Sequence, residues 1–397
     1  MMTQTTYLNA LGMLNALGND PHEIWANCLR GENKLQSDSL LCPAQPQLTG
    51  RVTQDLPELS DLFEPASCRC NRMLLAALEQ IQPQLEELLA TFAPDRIGVV
   101  LGSSTGGIQE STDALAHHAR TGNFPETFAL RQQELGLGAS FVARQLGLKG
   151  PAYTVSTACS SSGKAMLAAR RLILAGHCDA VITGGCDSLC QIALQGFAAL
   201  EAVSSGRTNP MSRNRDGLNI GEGVALFIMS RTPSDVVFLG GGESSDAYHI
   251  SSPEPEGRGA EAAMRLALED AGLHPQDINY INLHGTGTPH NDIMESKAIA
   301  RVFSDSALCS STKPMTGHTL GVAGGIEAGL CWLSLMHSKD GKTELPPHIW
   351  DGQRDPELPD LPLVEIGGFI AAAQVRMLSN SFAFGGSNCA VILGKSS

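Results

Sequence analysis

The feature that most constrains this chain is the alternation of short apolar runs with longer segments of helical periodicity. Runs of this kind predict buried strands, and segments with apolar residues three and four apart predict helices. The predicted strands are Arg96–Gly102, Asp179–Gly185, Asp277–His284 and Leu363–Phe369. The predicted helices are Ser161–Ala175, Gly259–Gly272, Asn291–Phe303 and Ala323–His337. Strands that alternate with helices predict an α/β fold with parallel strands and crossover helices.

Two pairs of strands follow one another without an intervening helix, and they predict antiparallel additions to a sheet. These pairs are Gly223–Arg231 with Val236–Gly242, and Arg376–Phe382 with Cys389–Gly394.

A weak internal repeat accompanies these strands. Cys159 and His318 each lie two residues after a threonine, where a short strand gives way to a helix. Self-similarity of this kind indicates related structural units. We therefore predict two related halves, residues 1–235 and 236–397, joined near residues 232–245.

The charge and hydropathy of the chain exclude several classes of partner. The formal net charge is −14, whereas nucleic-acid binding needs a basic surface. No apolar run reaches the roughly 18 residues that span a bilayer. The N-terminus has no basic region preceding an apolar one, so we expect no signal peptide and a cytoplasmic location.

The cysteines predict neither disulfides nor a metal site. Their number, eleven, is odd, and nothing indicates secretion. The pairs Cys68-x-Cys70 and Cys186-x3-Cys190 lack the usual zinc spacing, and no second ligand pair follows them. We expect buried thiols and no bound metal.

One cysteine, Cys159, lies where a nucleophile is expected. It follows an apolar strand and precedes a helix directly, in the segment Thr157-Ala-Cys-Ser-Ser-Ser-Gly163. Free backbone N–H groups and the helix dipole there favour the thiolate, so we expect the nucleophilic form to be populated. The alternative interpretation is a buried structural cysteine.

Two histidines lie at comparable junctions. His284 ends a predicted strand and opens a Gly/Thr loop, where ligands bind in open α/β sheets. His318 lies between a loop and a helix of small residues, flanked by Lys313 and Glu327. A buried charged pair is usually placed for a reason other than stability. The alternatives are a core histidine, a solvated lysine and a surface glutamate.

A fourth segment, Asn380-Ser-Phe-Ala-Phe384-Gly-Gly-Ser-Asn388, places two aromatic residues beside glycines between two strands. The aromatics either belong to the core or gate a pocket, because glycines permit movement of the loop.

Together these segments resemble the elongating β-ketoacyl-[acyl carrier protein] synthases of the thiolase superfamily. The family order is a nucleophilic cysteine, H-G-T-x-T-P, K-x-x-T-G-H and F-x-F-G-G-S/T-N, and this chain has that order. The segment Arg213–Gly223 also resembles the family's R-D-G-x-x-x-G-E-G, and Ser251-Ser-Pro253 and Asp270-Ala-Gly-Leu273 fit as well. The resemblance extends over nearly the whole chain from about residue 67.

This resemblance implies a fold of two related halves stacked as a five-layered αβαβα sandwich. Cys159 would carry the acyl chain as a thioester, while His284 and His318 would hold the malonyl thioester carbonyl during decarboxylation. The backbone N–H groups of Cys159 and Phe384 would form a second oxyanion hole, and Phe384 would be the gate. Lys313 and Glu327 would order the site, and Thr286 and Thr288 would bind the phosphopantetheine arm.

The resemblance also implies partners. The enzyme would have no cofactor of its own, because an acyl carrier protein supplies the phosphopantetheine arm. Carrier proteins of this class are acidic, so we predict docking on a local basic patch of Arg69, Arg72 and Arg207. A homodimer, or a heterodimer with a related ketosynthase-like subunit, is expected.

Several functions remain open at this stage. The N-terminal segment, Leu8-Asn-Ala-Leu-Gly12, departs from the family's Gly-rich opening. The region before residue 150 is also shorter than in many relatives. These departures favour a specialised polyene- or polyketide-type pathway over housekeeping fatty-acid elongation. A degradative thiolase, a starter-condensing synthase and a chain-length-setting subunit without a nucleophile are weighed as alternatives. Cys159 and His318 argue against them.

Overall fold

The computed structural model describes residues 5–39, 41, 46–59 and 67–396. The strands in this part of the chain are β1 (Thr6–Leu14), β2 (Gln36–Asp38), β3 (Gln47–Gly50), β4 (Ile97–Gly102), β5 (Ala152–Val155), β6 (Ala180–Asp187), β7 (Ile220–Gly221), β8 (Gly223–Ser230), β9 (Val236–Ser245), β10 (Tyr280–Asn282), β11 (Leu308–Ser310), β12 (Lys342–Glu344), β13 (Phe369–Ala371), β14 (Arg376–Ala383) and β15 (Ser387–Lys395). The helices are α1 (Pro21–Leu29), α2 (Arg69–Gln80), α3 (Gln82–Thr91), α4 (Ile108–Thr121), α5 (Leu137–Gln145), α6 (Ser161–Leu174), α7 (Gln191–Ala199), α8 (Arg258–Ala271), α9 (Pro289–Phe303), α10 (Lys313–Thr316) and α11 (Ala323–Met336).

The principal sheet repeats one topology twice. Its order is β11-β10-β14-β15-β9-β1-β8-β6-β4-β5, and only two residue pairs join β9 to β1 in the middle. Counted within its own half, each set of five strands has the order third, second, fourth, fifth, first. The parallel and antiparallel pairings are also the same in both sets. Two sets of strands with one topology agree with the prediction of two related halves, whereas the boundary between residues 235 and 236 stays a prediction.

Three layers of helices alternate with the two sets of five strands. The helices α6 and α11 contact each other and strands of both halves, so they form the central layer. On the outer side of the first half lie α2 and α5, and α8 and α9 cover the second. The central packing needs small residues, because a Cβ on Gly102 would lie 2.3 Å from the backbone nitrogen of Ser162. This arrangement is the five-layered αβαβα sandwich that the family resemblance implies.

The four predicted helices are present and end within two residues of the predicted positions. The prediction of a strand at Leu363–Phe369 is wrong, because only Leu363 forms an isolated bridge, to Cys309, before the chain turns. Pro362 precedes this segment, and Gly367 within it adopts a φ of +82°, so a regular strand ends early.

The predicted antiparallel strands are present, but one pair has an unexpected neighbour. The strands β14 and β15 pair directly, whereas β1 lies between β8 and β9 and is antiparallel to both. The apolar N-terminal segment thus supplies a strand that the sequence pattern did not identify.

All ten described cysteines are buried, and none forms a disulfide. In the described residues, no helix is both long and apolar enough to cross a bilayer.

Candidate active site

Cys159 lies in a tight turn between β5 and α6. The preceding residue, Ala158, adopts a φ of +51°, which a non-glycine residue rarely does. Hydroxyl groups stabilise the turn: Ser161 Oγ accepts the N–H of Thr157 at 2.8 Å and donates to the carbonyl of Ala158 at 2.5 Å. The thiol is buried, with 6% of the residue exposed. The strand-to-helix junction predicted for this cysteine is therefore present.

His318 contacts the thiol directly. Its Nε2 lies 3.1 Å from Cys159 Sγ, and its Nδ1 accepts the N–H of Leu320 at 3.2 Å. Because Nδ1 accepts a hydrogen bond, the neutral ring carries its proton on Nε2. The backbone of His318 is held as well, since its N–H donates to Asn219 O at 2.7 Å and its carbonyl accepts from Gly221 N at 2.9 Å.

His284 lies across the pocket from His318. The two ring centroids are 5.3 Å apart and the rings are nearly perpendicular, at 86°. The Nδ1 of His284 has no hydrogen-bond partner among the described residues, in contrast to the Nδ1 of His318, which accepts the N–H of Leu320. Instead the backbone is held, because the N–H groups of His284 and Gly285 each donate to the Glu295 carboxylate at 2.7 Å.

Lys313 and Glu327 form a buried ion pair beside the two histidines. Lys313 Nζ donates to the Glu327 carboxylate and to the carbonyl oxygen of His284. Both side chains are almost completely inaccessible to solvent. Burial raises the pKa of Glu327 to about 7, although the Lys313 ammonium opposes this shift. The pair links α11 to the His284 backbone through one ammonium group.

The electrostatics of the site keep its reacting groups neutral. Burial, together with the neighbouring Lys313 ammonium, lowers the pKa of both His284 and His318 well below its usual value. Burial raises the pKa of the Cys159 thiol to about 11, while Lys313 and the N–H groups of Phe384 and Cys159 lower it. The expectation of a populated thiolate is therefore wrong for the resting site, because desolvation outweighs the turn's dipoles.

Phe384 is the first residue after β14, and it lines the same pocket as Cys159. Its backbone N–H and that of Cys159 both stabilise negative charge on Sγ, as two donors of an oxyanion hole would. Its ring lies 5.5 Å from the ring of Phe197, and Gly385 beside it has a φ of +80°. A gating role for Phe384 in this pocket stays a prediction.

A pocket of about 370 Å³ opens over Cys159, His284 and His318. Thr286 and Thr288 line it, and their hydroxyl oxygens are 2.9 Å apart. Other lining residues are Phe197, Leu200, Leu218, Pro253, Asn291 and Phe384. The mixture of apolar side chains with two hydroxyl groups suits a pantetheine-like chain of amides and methylenes.

The three predicted docking arginines are all partly buried. Arg69 donates to the buried carboxylate of Glu222 at 2.6 and 2.9 Å and to Val52 O. Arg72, one turn later on α2, donates to the carbonyls of residues 56 and 57 and to Glu58. Arg207 donates to the carbonyl of Pro314, beside the active-site lysine. Docking through these side chains stays a prediction.

Three acidic residues that brace this site were not predicted. Glu295 accepts the N–H groups of His284 and Gly285. Asp292 accepts the N–H of Gly287 at 3.3 Å and that of Met211 at 2.8 Å. Asp187 accepts the N–H of Gly321 at 2.6 Å. Asp292 and Glu295 are three residues apart on the buried face of α9. The sequence signal that could have identified Asp292 and Glu295 is a pair of acidic residues at helical spacing within an apolar helix face.

The trio of Cys159, His284 and His318 also has the residue types of a metal site. Their ligand atoms all lie within 4.8 Å of one another, and no other such group of three His, Cys, Asp or Glu occurs among the described residues. The prediction that no metal binds stays a prediction.

Known proteins resemble this chain over nearly its full length. The model of the β-ketoacyl synthase N-terminal domain matches residues 8–234, and that of the C-terminal domain matches residues 236–343. A 3-oxoacyl-[acyl-carrier-protein] synthase 2 of Staphylococcus aureus (strain COL) is 33% identical over 414 residues, covering 98% of this chain and 97% of the relative.

Two solved structures have the same fold. One is a ketosynthase (ApeO) in complex with its chain length factor (ApeC) from Xenorhabdus doucetiae, with a TM-score of 0.93, 42% identity and coverage of 99% of this chain and 98% of that one. The other is the ishigamide ketosynthase/chain length factor, with a TM-score of 0.86, 25% identity and 99% coverage of both chains.

The repeated five-strand topology, the buried cysteine with its two histidines and the match to both family domains agree with one another. The chain therefore belongs to the β-ketoacyl synthase family of acyltransferases.

Proposed function

We propose that this chain catalyses the decarboxylative condensation of malonyl-acyl carrier protein with an acyl group held as a thioester on Cys159. The observation that carries the proposal is the 3.1 Å contact between Cys159 Sγ and His318 Nε2, with His284 beside it in the same pocket. A nucleophile, two neutral N–H donors and a pocket for a pantetheine chain are the parts that this reaction needs.

The first half-reaction transfers the acyl group. The Cys159 sulfur attacks the carbonyl carbon of the acyl thioester, and the carrier's thiol leaves with the proton that the cysteine gives up. The N–H groups of Cys159 and Phe384, which stabilise negative charge at this position, would hold the tetrahedral oxyanion. Because burial raises the pKa of the thiol to about 11, the neutral thiol predominates near pH 7 before the attack.

The second half-reaction forms the carbon–carbon bond. Loss of carbon dioxide from the malonyl thioester leaves an enolate, whose oxygen would accept hydrogen bonds from His284 and His318. The enolate carbon attacks the acyl-Cys159 carbonyl, the Cys159 thiolate leaves, and this thiolate takes up one proton. The products are carbon dioxide, free Cys159 and a 3-oxoacyl group lengthened by two carbons on the carrier protein.

We further propose that the chain works in a specialised pathway, as the active subunit beside a related subunit that lacks the nucleophile. Two similar solved structures are described as ketosynthases with a chain length factor. In this chain β5 forms an edge of the principal sheet, and Tyr153 on it is 39% exposed. Leu115 on α4 is 54% exposed, and Leu130 in the connection between α4 and α5 is 71% exposed. An open sheet edge with apolar side chains favours a protein partner.

The alternative is a homodimeric elongation synthase of housekeeping fatty-acid synthesis, which the 33% identity to the staphylococcal synthase favours. The test uses the purified chain alone with octanoyl- and malonyl-loaded acyl carrier protein. Product formation by the chain alone supports the homodimer. Acylation of Cys159 without condensation, restored by a co-purified family member without the cysteine, supports the heterodimer. Absence of acylation in both preparations would overturn the condensing function.

A further inference from the structure

Asp187, the last residue of β6, is a buried carboxylate that the proposed reaction does not use. Its Oδ1 accepts hydrogen bonds from Ser103 Oγ, from Ser104 N and from the N and Oγ1 of Thr105, all at 2.8 Å. Its Oδ2 accepts from Ser104 Oγ at 2.9 Å and from the N–H of Gly321 at 2.6 Å. Six donors converge on one carboxylate, and the residue has no exposed surface.

These donors come from both halves of the molecule. The segment of Ser103 to Thr105 follows β4 in the first half, whereas Gly321 belongs to the loop between His318 and α11 in the second half. The junction is closely packed, because a Cβ on Gly321 would lie 2.6 Å from Asp187 Oδ2 and 2.9 Å from Ser104 N. Asp187 therefore ties the His318 loop to the end of the β4 strand.

The bond to Gly321 bears on the histidine through Leu320. Leu320 adopts a φ of +55°, a left-handed conformation that is unfavourable for a non-glycine residue. Its N–H donates to His318 Nδ1 at 3.2 Å, which is the bond that puts the ring proton on Nε2. The residue can stay in this conformation only if its surroundings hold it there, and the next N–H along the chain is the one that Asp187 anchors.

We propose that Asp187 is a positioning residue for His318. It holds the Leu320–Gly321 peptide so that Leu320 donates to Nδ1, and the ring then presents an N–H to the thioester oxygen. Without this anchor Leu320 relaxes to the right-handed region and its N–H leaves Nδ1. The neutral ring then takes the other tautomer, in which Nε2 is an acceptor and stabilises no enolate. The catalytic part of the inference rests on the proposed function, whereas the tautomer itself does not.

The primary test is Asp187→Asn in the full-length protein. An amide presents an oxygen at one position and an NH2 group at the other, so one set of donors loses its acceptor while the side-chain shape is kept. We expect decarboxylation of malonyl-acyl carrier protein to fall about tenfold to a hundredfold, less than for loss of the whole donor. Acylation of Cys159 by octanoyl-acyl carrier protein should change much less.

The second readout is the tautomer of His318, measured by ¹⁵N nuclear magnetic resonance with labelled histidine and assigned by comparison with His318→Gln. The wild-type ring should carry its proton on Nε2, and Asp187→Asn should shift it toward Nδ1. The matched control is Asp38→Asn, which alters another buried carboxylate that accepts from Leu41 N and Arg51. It should leave both readouts unchanged.

If Asp187→Asn does not fold, two milder variants test the proposal by the same two readouts. Ser104→Ala removes a hydroxyl that donates to Asp187 and also accepts the Gly321 N–H at 3.2 Å, and Gly321→Ala pushes the two sides of the junction apart. A retained Nε2–H tautomer in the folded variants overturns the proposal, whatever the activity. Absence of decarboxylation in the wild type would refute the proposed function alone, because the tautomer is measured without substrate.

Discussion

His318 Nε2 lies 3.1 Å from Cys159 Sγ, although the two residues are 159 positions apart in the chain. Each of them follows the third strand of its half, Cys159 after β5 and His318 after β11. The helices that come next, α6 and α11, pack against each other in the central layer. The nucleophile and its histidine are thus equivalent positions of a repeated fold, brought together where the two halves meet.

Replacement of the nucleophile should separate the two half-reactions. In Cys159→Ala we expect no acyl adduct and no condensation, while malonyl-acyl carrier protein is still decarboxylated, because that step uses the histidines. Intact-protein mass spectrometry after incubation with octanoyl-acyl carrier protein measures the adduct. The control is Cys178→Ala, another buried cysteine, which should acylate normally. An adduct on the Cys159→Ala protein would contradict the assignment.

Removal of either histidine should have the opposite effect. Loss of one N–H donor to a developing oxyanion typically costs about 100- to 1000-fold in rate. In His284→Ala and in His318→Ala we therefore expect decarboxylation to fall by about that factor, while acylation of Cys159 is largely retained. Release of carbon dioxide from labelled malonyl-acyl carrier protein is the measurement. A rate within about tenfold of the wild type in either variant would refute the role of that residue.

The thiol should react as a weakly acidic group. Its pKa is about 11, so its thiolate fraction should rise about tenfold for each pH unit from 7 to 10. The rate of Cys159 alkylation by iodoacetamide, followed by mass spectrometry, should rise in parallel over that range. A free thiol with a pKa of about 8.5 levels off earlier and serves as the reference. A plateau for Cys159 below pH 9 would mean that the site stabilises the thiolate after all.

The buried ion pair should be costly to break from one side. In Lys313→Met the Glu327 carboxyl is left buried without its partner, and a loss of about 3–5 kcal/mol in the free energy of unfolding is typical for such a change. The double variant Lys313→Met/Glu327→Met should recover most of that loss, because no buried charge remains. Urea unfolding at one fixed protein concentration measures both.

Activity should not follow stability in these variants. The Nζ of Lys313 also donates to the carbonyl of His284, and neither variant can replace that bond. We expect decarboxylation to stay impaired in the double variant even where stability returns. Full activity in a stable double variant would mean that the pair serves stability alone.

The docking arginines should differ from one another. Arg72→Glu with Arg207→Glu should raise the apparent KM for carrier-bound substrate several-fold, because an acidic partner then meets added negative charge. Arg69→Glu should mainly lower stability, since it places two carboxylates together at buried Glu222. A small thioester without the carrier is the control substrate, and Arg265→Glu on α8 is the control variant. If both substrates respond equally, the carrier docks elsewhere.

Much of the architecture follows from the sequence because it depends on local patterns. Apolar runs and helical spacing located α6, α8, α9 and α11 nearly to the residue, and strands such as β4 and β6. The pattern failed at Leu363–Phe369, where Pro362 precedes the apolar run and Gly367 and Gly368 interrupt it. It also missed β1, since Asn9 and Gly12 break the alternation that identifies a strand.

By itself the sequence determined which residue types were available at each strand-to-helix junction, and these identify Cys159, His284 and His318. Only the tertiary structure decided how they act. The pKa of the thiol depends on burial by surrounding elements, and the proton on His318 depends on Leu320. The backbone of His284 is held by Glu295, and the loop of His318 is held by Asp187, 134 residues away from Gly321. Such contacts follow from how the two halves pack, and no local pattern of residues encodes that packing.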